Sequence, residues 1–319
     1  LRILLTGASG WLGRHLAPLL EARGHEVVGL DVVAGAFTRI VGSVADRALV
    51  FQAIAHHAIE AVIHAGALHK PDIARFPRQA FVDVNVTGTL NLLEAAAEAG
   101  HARFLFTSTT SLMVRADVRA GAGEAGAWWM DECFGPLEPR NIYGITKLAA
   151  ENLCRLISRE SGMAVAILRT GRFFPEDDDT HAVPSGPNLK ANEFLNRRLT
   201  AGDAALAHLA ALDRWERGCE TFVLSAPPPF RRDEAAELAR DARAVIARRF
   251  PDAVELYERR GWTLPARIER VYDPAKAERL LGWRARTDFA AILSTLRTGE
   301  ELPFAHDPDW ISPVLRQSR

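Results

Sequence analysis

A chain of 319 residues with 39 basic and 40 acidic side chains has a formal net charge of -1, which gives it no bulk attraction for nucleic acid or an anionic membrane. Its three cysteines, Cys133, Cys154 and Cys219, have neither CxxC nor metal-ligand spacing, so they read as free thiols of a reduced compartment and no metal site is expected. No apolar run reaches the roughly 18 to 20 residues of a membrane span, so a soluble cytoplasmic α/β protein with one large unit and a smaller lobe is expected.

Residues 3–16 read as a short apolar strand that stops at Gly7, Gly10 and Gly13 and continues as a helix with Leu12, Leu16, Leu19 and Leu20. A strand that ends on glycine and restarts as a helix gathers backbone N–H groups and a positive helix end at one point, which suits a pyrophosphate. Gly7 permits the tight turn, Gly10 lets backbone approach phosphate, and Gly13 lets helix pack on strand. With Ser9, Trp11 and Leu12 these residues form a candidate cofactor cradle, although an ordinary βα turn is also glycine-rich. A second strand, HEVVGLDV, ends in Asp31, about 20 residues past the glycines, where a carboxylate accepts ribose hydroxyls and repels a 2′-phosphate. That favours NAD over NADP.

Residues 46–56 look helical; Asp46 either reaches the adenine or serves as a charge at the helix start. A third strand at 60–64 runs into Ala65, Gly66 and Ala67, small enough for a ligand to cross the sheet edge there. A long helix over 76–99 carries Asn85, and a fourth strand at 103–106 leads into the hydroxyl cluster Thr107, Ser108, Thr109, Thr110 and Ser111. Residues 116–139, with Trp128 and Trp129, read as loop, and 141–161 as a helix with Tyr143 and Lys147 on one face. A strand at 164–169 completes five βα units, which imply a Rossmann-type doubly wound parallel sheet.

After Arg169 the pattern changes. Residues 173–192, rich in Pro, Asp, Gly and Asn, read as a loop over the crevice. A capped helix at 200–212, a strand at 221–225, a basic helix from Asp233 to near Phe250 and a helix from Asp273 and Pro274 to a stop at Gly282 follow. The expected division is an NAD-binding domain over 1–172, to which 196–226 returns, and a smaller substrate-binding lobe from 173–195 and 227–319.

Tyr143 and Lys147 carry the chemistry. A phenol with a pKa near 10 is a poor base at neutral pH, and an ammonium one helical turn away favours the phenolate. That phenolate can take the proton of a substrate hydroxyl while hydride leaves the same carbon for a nicotinamide.

The run Thr6-Gly7-Ala8-Ser9-Gly10-Trp11-Leu12-Gly13, Asp31, VIHAGA at 62–67, Asn85 in NVTGT and Tyr143-Gly-Ile-Thr-Lys147 together resemble the extended short-chain dehydrogenases/reductases, in their NAD-dependent epimerase/dehydratase branch. DPAKAERLLGW at 273–283 is similar to the C-terminal helix signature of that branch. The resemblance implies a Rossmann domain, NAD, and a homodimer built from two helices of each subunit. It implies Tyr143 as catalytic base, Lys147 as its partner and ribose ligand, and Thr109 as the catalytic hydroxyl, with Ser108 next if the register slips by one. It further implies Asn85 near the active site, and Arg169 to Phe173 passing the nicotinamide. His64 in this pattern is structural.

Two departures narrow the expected substrate. Thr110 and Ser111 stand where the 4,6-dehydratases of the family have an Asp-Glu pair, so dehydration is disfavoured. The interval from Lys147 to Asp203 is short, and Arg172, Arg197, Arg198, Arg231, Arg232 and Arg267 fall in no recognisable diphosphate motif. The expectation is therefore an NAD-dependent oxidoreductase acting on a secondary alcohol or hemiacetal carbon of a free sugar or sugar acid, with Thr109, Thr110, Arg172 and Phe173 touching it. An NAD-dependent epimerase of a nucleotide sugar is the alternative. A non-catalytic dinucleotide-binding regulator would be expected to have lost Tyr143 or Lys147, and both are present.

Overall fold

The computed structural model describes residues 1–174 and 183–305. Nine strands and twelve α-helices are laid down in the described chain. The N-terminal half alternates β1 (Arg2–Thr6), α1 (Trp11–Ala22), β2 (Glu26–Asp31), β3 (Thr38–Val41), α2 (Arg47–His56) and β4 (Ala61–His64). There follow α3 (Arg78–Phe81), α4 (Gly88–Glu98), β5 (Arg103–Thr109), α5 (Ala116–Ala120), β6 (Trp128–Met130), α6 (Ile142–Ser161) and β7 (Ala164–Thr170). The remainder comprises α7 (Gly186–Glu193), α8 (Ala201–Arg214), β8 (Cys219–Leu224), α9 (Ala235–Arg249), α10 (Ala253–Arg259), β9 (Arg270–Tyr272), α11 (Ala275–Leu281) and α12 (Phe289–Thr298).

Seven strands form one parallel sheet in the order β3-β2-β1-β4-β5-β7-β8. The order reverses between β1 and β4, and ligands of such sheets bind at that switch, beyond the strands' carboxyl ends. Neighbouring strand residues serve opposite cores. Ile3, Leu5, Ile63, Leu105 and Leu168 pack towards α1 and α8, whereas Leu4, Val62, Phe104, Phe106 and Ile167 pack towards α2, α4 and α6. The two-residue side-chain period and two covered faces account for the near-continuous apolar runs of the central strands.

Helix boundaries follow side-chain chemistry. Asn141 caps α6 through the Gly144 N–H, Thr200 caps α8 through the Asp203 N–H, and Gly162 ends α6 at φ 76°. The expected long helix at 76–99 is interrupted by a π-helical turn over Val82–Thr87, which contains Asn85. Among the described residues, no helix is long and apolar enough to cross a membrane.

Past β7 the structure departs from the pattern expected of the sequence. Part of the expected loop at 173–192 is helix α7, started by the Ser185 hydroxyl, and residues 175–182 lie outside the described set. The expected loop at 116–139 contains α5 and β6, and β6 pairs in parallel with the distant β9. Strands of three residues have too few positions to display a period, so only the pairing reveals them. The chain after α8 puts β8 on the edge of the main sheet beside β7, while Leu238, Val245, Ile246, Tyr257 and Phe289 of α9, α10 and α12 join the core beneath α1 and α8.

Candidate functional site

At the carboxyl edge of β1, β2, β4 and β5 lies a cleft of about 670 Å³. Its first wall is the glycine turn. Gly7 has φ 72°, and a Cβ there would sit 2.8 Å from the Gly66 nitrogen; one on Gly13 would sit 2.2 Å from the Gly7 carbonyl oxygen. Both glycines are required by packing. A Cβ on Gly10 would meet only the Gly7 peptide, at 3.1 Å, and would otherwise project into open space at the start of α1. Backbone approach by a ligand is what its bareness permits, and the N–H groups of a helix start suit a pyrophosphate.

Asp31 closes the far end of this wall. Its Oδ2 accepts the Ser9 N–H at 2.9 Å and its Oδ1 the Val33 N–H at 3.0 Å, which leaves each oxygen a lone pair for a ribose hydroxyl. The Ser9 hydroxyl is engaged with the Val33 carbonyl and Thr38, so Ser9 borders the cleft with its side chain already bonded. Trp11 and Leu12 line the cleft as expected. Asp46 does not reach it: its carboxylate caps α2 through the Leu49 N–H, and Gly42, Ser43 and Val44 form that wall instead.

The second wall is the β4 loop, with Ala65, Gly66 and Ala67 on the cleft. Its rigidity comes from a directed hydrogen-bond chain. Thr89 donates to the Asn85 carbonyl, so His64 Nε2–H donates to Thr89; His64 Nδ1 then accepts from Thr6, whose oxygen accepts the Gly66 N–H. His64 is thus a buried structural histidine. Asn85, expected at the cofactor, is also structural: its amide binds both the N–H and the carbonyl of Leu68 and donates to Thr146. These bonds consume its side-chain donors and tie the β4 loop to α6.

β5 and α6 converge on the chemistry. The Ser108 hydroxyl donates to Glu151 at 2.7 Å and is buried, whereas Thr109 lines the cleft with its oxygen accepting the Ser111 N–H. Thr110 also lines the cleft while donating to the Thr170 carbonyl. Tyr143, 7% exposed, borders both the cleft and a recess of about 20 Å³ that opens beyond it. Lys147 lines that recess, its Nζ 4.1 Å from the centre of the Phe106 ring. Burial lowers the Lys147 ammonium to a pKa of about 7, with Cys154 and Glu151 acting in the other direction. His69, for which the sequence offers no signal, stands between Tyr143 and Phe174, its ring centre 5.8 Å and 5.1 Å from theirs, and burial followed by the Lys147 charge lowers its pKa to about 4.

Glu151 continues the Tyr143 and Lys147 face of α6 and is fully buried. Burial alone would raise its pKa, but the hydrogen bond and charge of Arg169, with Ser108 and Arg155, hold it below the ordinary carboxylate value. Arg169 is an internal ion-pair partner of α6. Phe173 likewise faces the recess and stacks on Phe174 at 4.2 Å, and it is Phe174 that borders the main cleft.

The third wall is cationic. Arg119, Arg140, Arg172, Arg197 and Arg270 all line the cleft, although they come from separate segments and form no linear motif. Glu193 holds Arg172 at 2.6 Å and Arg197 at 2.5 Å through one carboxylate oxygen and Arg198 at 2.6 Å through the other. Burial opposes that ionisation, and the three arginines nonetheless bring the Glu193 pKa to about 2. One buried carboxylate thus gathers three guanidiniums beside the cleft. Of the sequence candidates, Arg198 is buried in this cluster, Arg231 and Arg232 point to Asp233 and Asp131 on the surface, and Arg267 is exposed. Among the described residues, no group of three or more His, Cys, Asp and Glu is arranged to hold a metal ion.

Residues 3–193 match the model of the NAD dependent epimerase/dehydratase family. A UDP-glucose 4-epimerase of Rhizobium meliloti (strain 1021) is 28% identical, covering 91% of this chain and 94% of its own, and one of Bacillus subtilis (strain 168) is 26% identical, covering 89% and 92%. Among solved structures, a short-chain dehydrogenase/reductase superfamily protein of Agrobacterium tumefaciens with bound NAD superposes with a TM-score of 0.65 at 23% identity, over 94% of this chain and 98% of that one. The UDP-glucose 4-epimerase of Thermus thermophilus in complex with NAD gives 0.63 at 22%, over 93% and 99%. With more than half its length matched by that family model, and with a glycine cradle and ribose carboxylate that fit the dinucleotide, the chain belongs to the NAD-dependent epimerase/dehydratase family.

Proposed function

We propose that this chain is an NAD-dependent epimerase of a nucleotide-activated sugar. The observation that carries the reading is the arginine wall: Arg119, Arg140, Arg172, Arg197 and Arg270 line one cleft, a donor set that suits an anionic substrate. A diphosphate linker meets that need through bidentate hydrogen bonds, and a neutral free sugar does not. The two full-length relatives named above are UDP-glucose 4-epimerases, which supports the same substrate class. A uronic acid, with one carboxylate, is the second reading, because the same guanidiniums would accept it.

NAD, when bound, supplies a hydride acceptor at the substrate carbon. Tyr143 takes the proton from the hydroxyl on that carbon, Lys147 favours the phenolate, and the free O–H of Thr109 orients the substrate oxygen. Gly7, Gly10, Gly13 and Asp31 hold the adenosine diphosphate half of the cofactor, and Thr107 and Lys147 stand at its reactive end. Arg172 and Arg197, fixed by Glu193, hold the anionic part of the substrate. Ile145 and Leu156, exposed three turns apart on α6, support a homodimer through that helix.

Incubation with NAD and UDP-glucose is expected to yield the C4 epimer with no net change at 340 nm. A sustained rise at 340 nm with a uronate, and no epimer from any nucleotide sugar, would establish the second reading in its place. Neutralising Arg197 and Arg270 together (R197Q/R270Q) is expected to raise the KM for the nucleotide sugar by about 100-fold, the loss of about 1.5 kcal/mol per charged hydrogen bond, with NAD affinity unchanged.

The pH dependence follows from the Tyr143 and Lys147 pair. With Lys147 brought to about pKa 7, one proton leaves the pair near pH 7, and the active form has the proton on lysine and the charge on tyrosine. Since the base form is required, kcat/KM in the oxidation direction is expected to fall tenfold per unit as pH drops below about 7. Lys147→Met removes the cation, and the limb should move up towards the ordinary tyrosine value. His69, at about 4, remains neutral and contributes no limb between pH 5 and 8.

A further inference from the structure

Thr107, expected at the cofactor as one hydroxyl of a cluster, has a partner that the sequence does not suggest. It lines the recess beside Lys147, and on its other side its Oγ1 lies 2.8 Å from Nε2 of His208, a fully buried residue of α8. His208 Nδ1 lies 2.8 Å from the carbonyl oxygen of Ala204. A carbonyl only accepts, so Nδ1 carries the ring proton; burial, against a smaller contribution from Ala204, brings the His208 pKa to about 4, and the ring is neutral. Nε2 is then a bare lone pair, and the Thr107 O–H must donate to it. The hydroxyl turns only its lone pairs towards the recess, where it has no other partner among the described residues.

We propose that Thr107, locked as a pure acceptor by His208, selects the carboxamide N–H of the cofactor's pyridine ring, with His208 as the positioning residue. The recess supports this on size and polarity. At about 20 Å³ it admits one group the size of a water molecule or an amide nitrogen, not an aromatic ring. The hydride-accepting ring must lie beside Tyr143, so a substituent on it is what can enter. Thr170, also on the recess, spends its own O–H on the Ser108 carbonyl, and the Ser108 hydroxyl is spent on Glu151, so the aliphatic hydroxyls of β5 and β7 present lone pairs there, and the donors on the recess are Tyr143 and Lys147. A ligand group that donates hydrogen bonds is therefore matched, and one that only accepts is not matched by Thr107.

The test requires no sugar, so it stands apart from the epimerase reading. Dissociation constants of the full-length protein for NAD and for 3-acetylpyridine adenine dinucleotide, whose acetyl group has no N–H, are read from tryptophan fluorescence quenching, with circular dichroism to establish folding. The wild type is expected to prefer NAD by about three- to tenfold, the value of one hydrogen bond. Thr107→Val keeps the shape and removes the acceptor, and should bring the ratio to about one; Thr107→Ser should keep it. His208→Leu frees the hydroxyl to donate and should also abolish the preference, whereas His208→Gln, whose amide oxygen accepts from Thr107, should restore it. An equal affinity of the wild type for both dinucleotides, or an undiminished preference in Thr107→Val, would overturn the proposal and leave the recess to a water molecule. Should His208→Leu fail to fold, the Thr107 variants decide the matter.

Discussion

Tyr143→Phe is expected to leave a folded protein that binds NAD normally and has lost turnover by a factor of about 10² to 10⁴ in kcat. Only one oxygen is removed, from a ring 7% exposed and packed on Leu68 and Phe81, so the packing survives. The proton acceptor does not. Neither the Ser108 hydroxyl, donating to Glu151, nor neutral His69, with a pKa of about 4, is suited to replace it as base. Single-turnover measurements with saturating NAD, alongside an independent NAD dissociation constant, separate the two effects. Near-normal turnover in this variant would sink the assignment of the base, while equal loss of NAD binding would mean that the ring mainly shapes the cofactor site.

The second large effect concerns stability. Glu151→Leu is expected to cost about 3–5 kcal/mol, because it leaves Arg169, 3% exposed at its side chain, as a buried cation without its bidentate partner, and orphans the Ser108 hydroxyl as well. Arg155, about a third exposed, can turn to solvent and adds little. That is a large share of a typical folding free energy, and the urea midpoint should fall by about 1 M or more. The double variant Glu151→Leu with Arg169→Met removes both charges and should recover most of the loss, since a well-packed apolar pair replaces a buried ion pair at little cost. The pH dependence has a definite sign. The Glu151 carboxyl is held below its unfolded value, so its stabilisation is present above that value and is lost as pH falls through the lowered native one.

How much of this is legible beforehand depends on how local the signal is. The glycine turn, Asp31, and the Tyr143 and Lys147 pair are readable because each is dictated within one turn or one strand end, where φ, helix spacing and backbone donors are set by neighbouring residues. The same local basis points Asp46 and Asn85 at the cofactor, and there the structure adds partners that local spacing does not show. A helix start satisfies Asp46, and a loop 17 residues away satisfies Asn85, whose pairing with Leu68 no spacing rule could reveal. Phe173 lines the recess beside Tyr143 and Lys147, and the ring stacked on it, Phe174, borders the main cleft, a division that no periodicity displays.

By itself, then, the sequence determined the parallel sheet, the glycine turn and the placing of Tyr143 and Lys147 on one face of a helix, since alternation of apolar strands, glycine conformations and i, i+4 spacing are properties of contiguous chain. Tertiary structure decided what those elements serve. The pairing of β6 with β9, the three guanidiniums on Glu193 and the hydrogen bond of Thr107 to His208 join residues distant in the chain, so they exist only once the sheet has closed. Charge scattered thinly along the chain becomes a cationic wall because folding brings arginines from separate segments to one cleft, where their fields add, and it is that wall, more than any motif, on which the proposed substrate class rests.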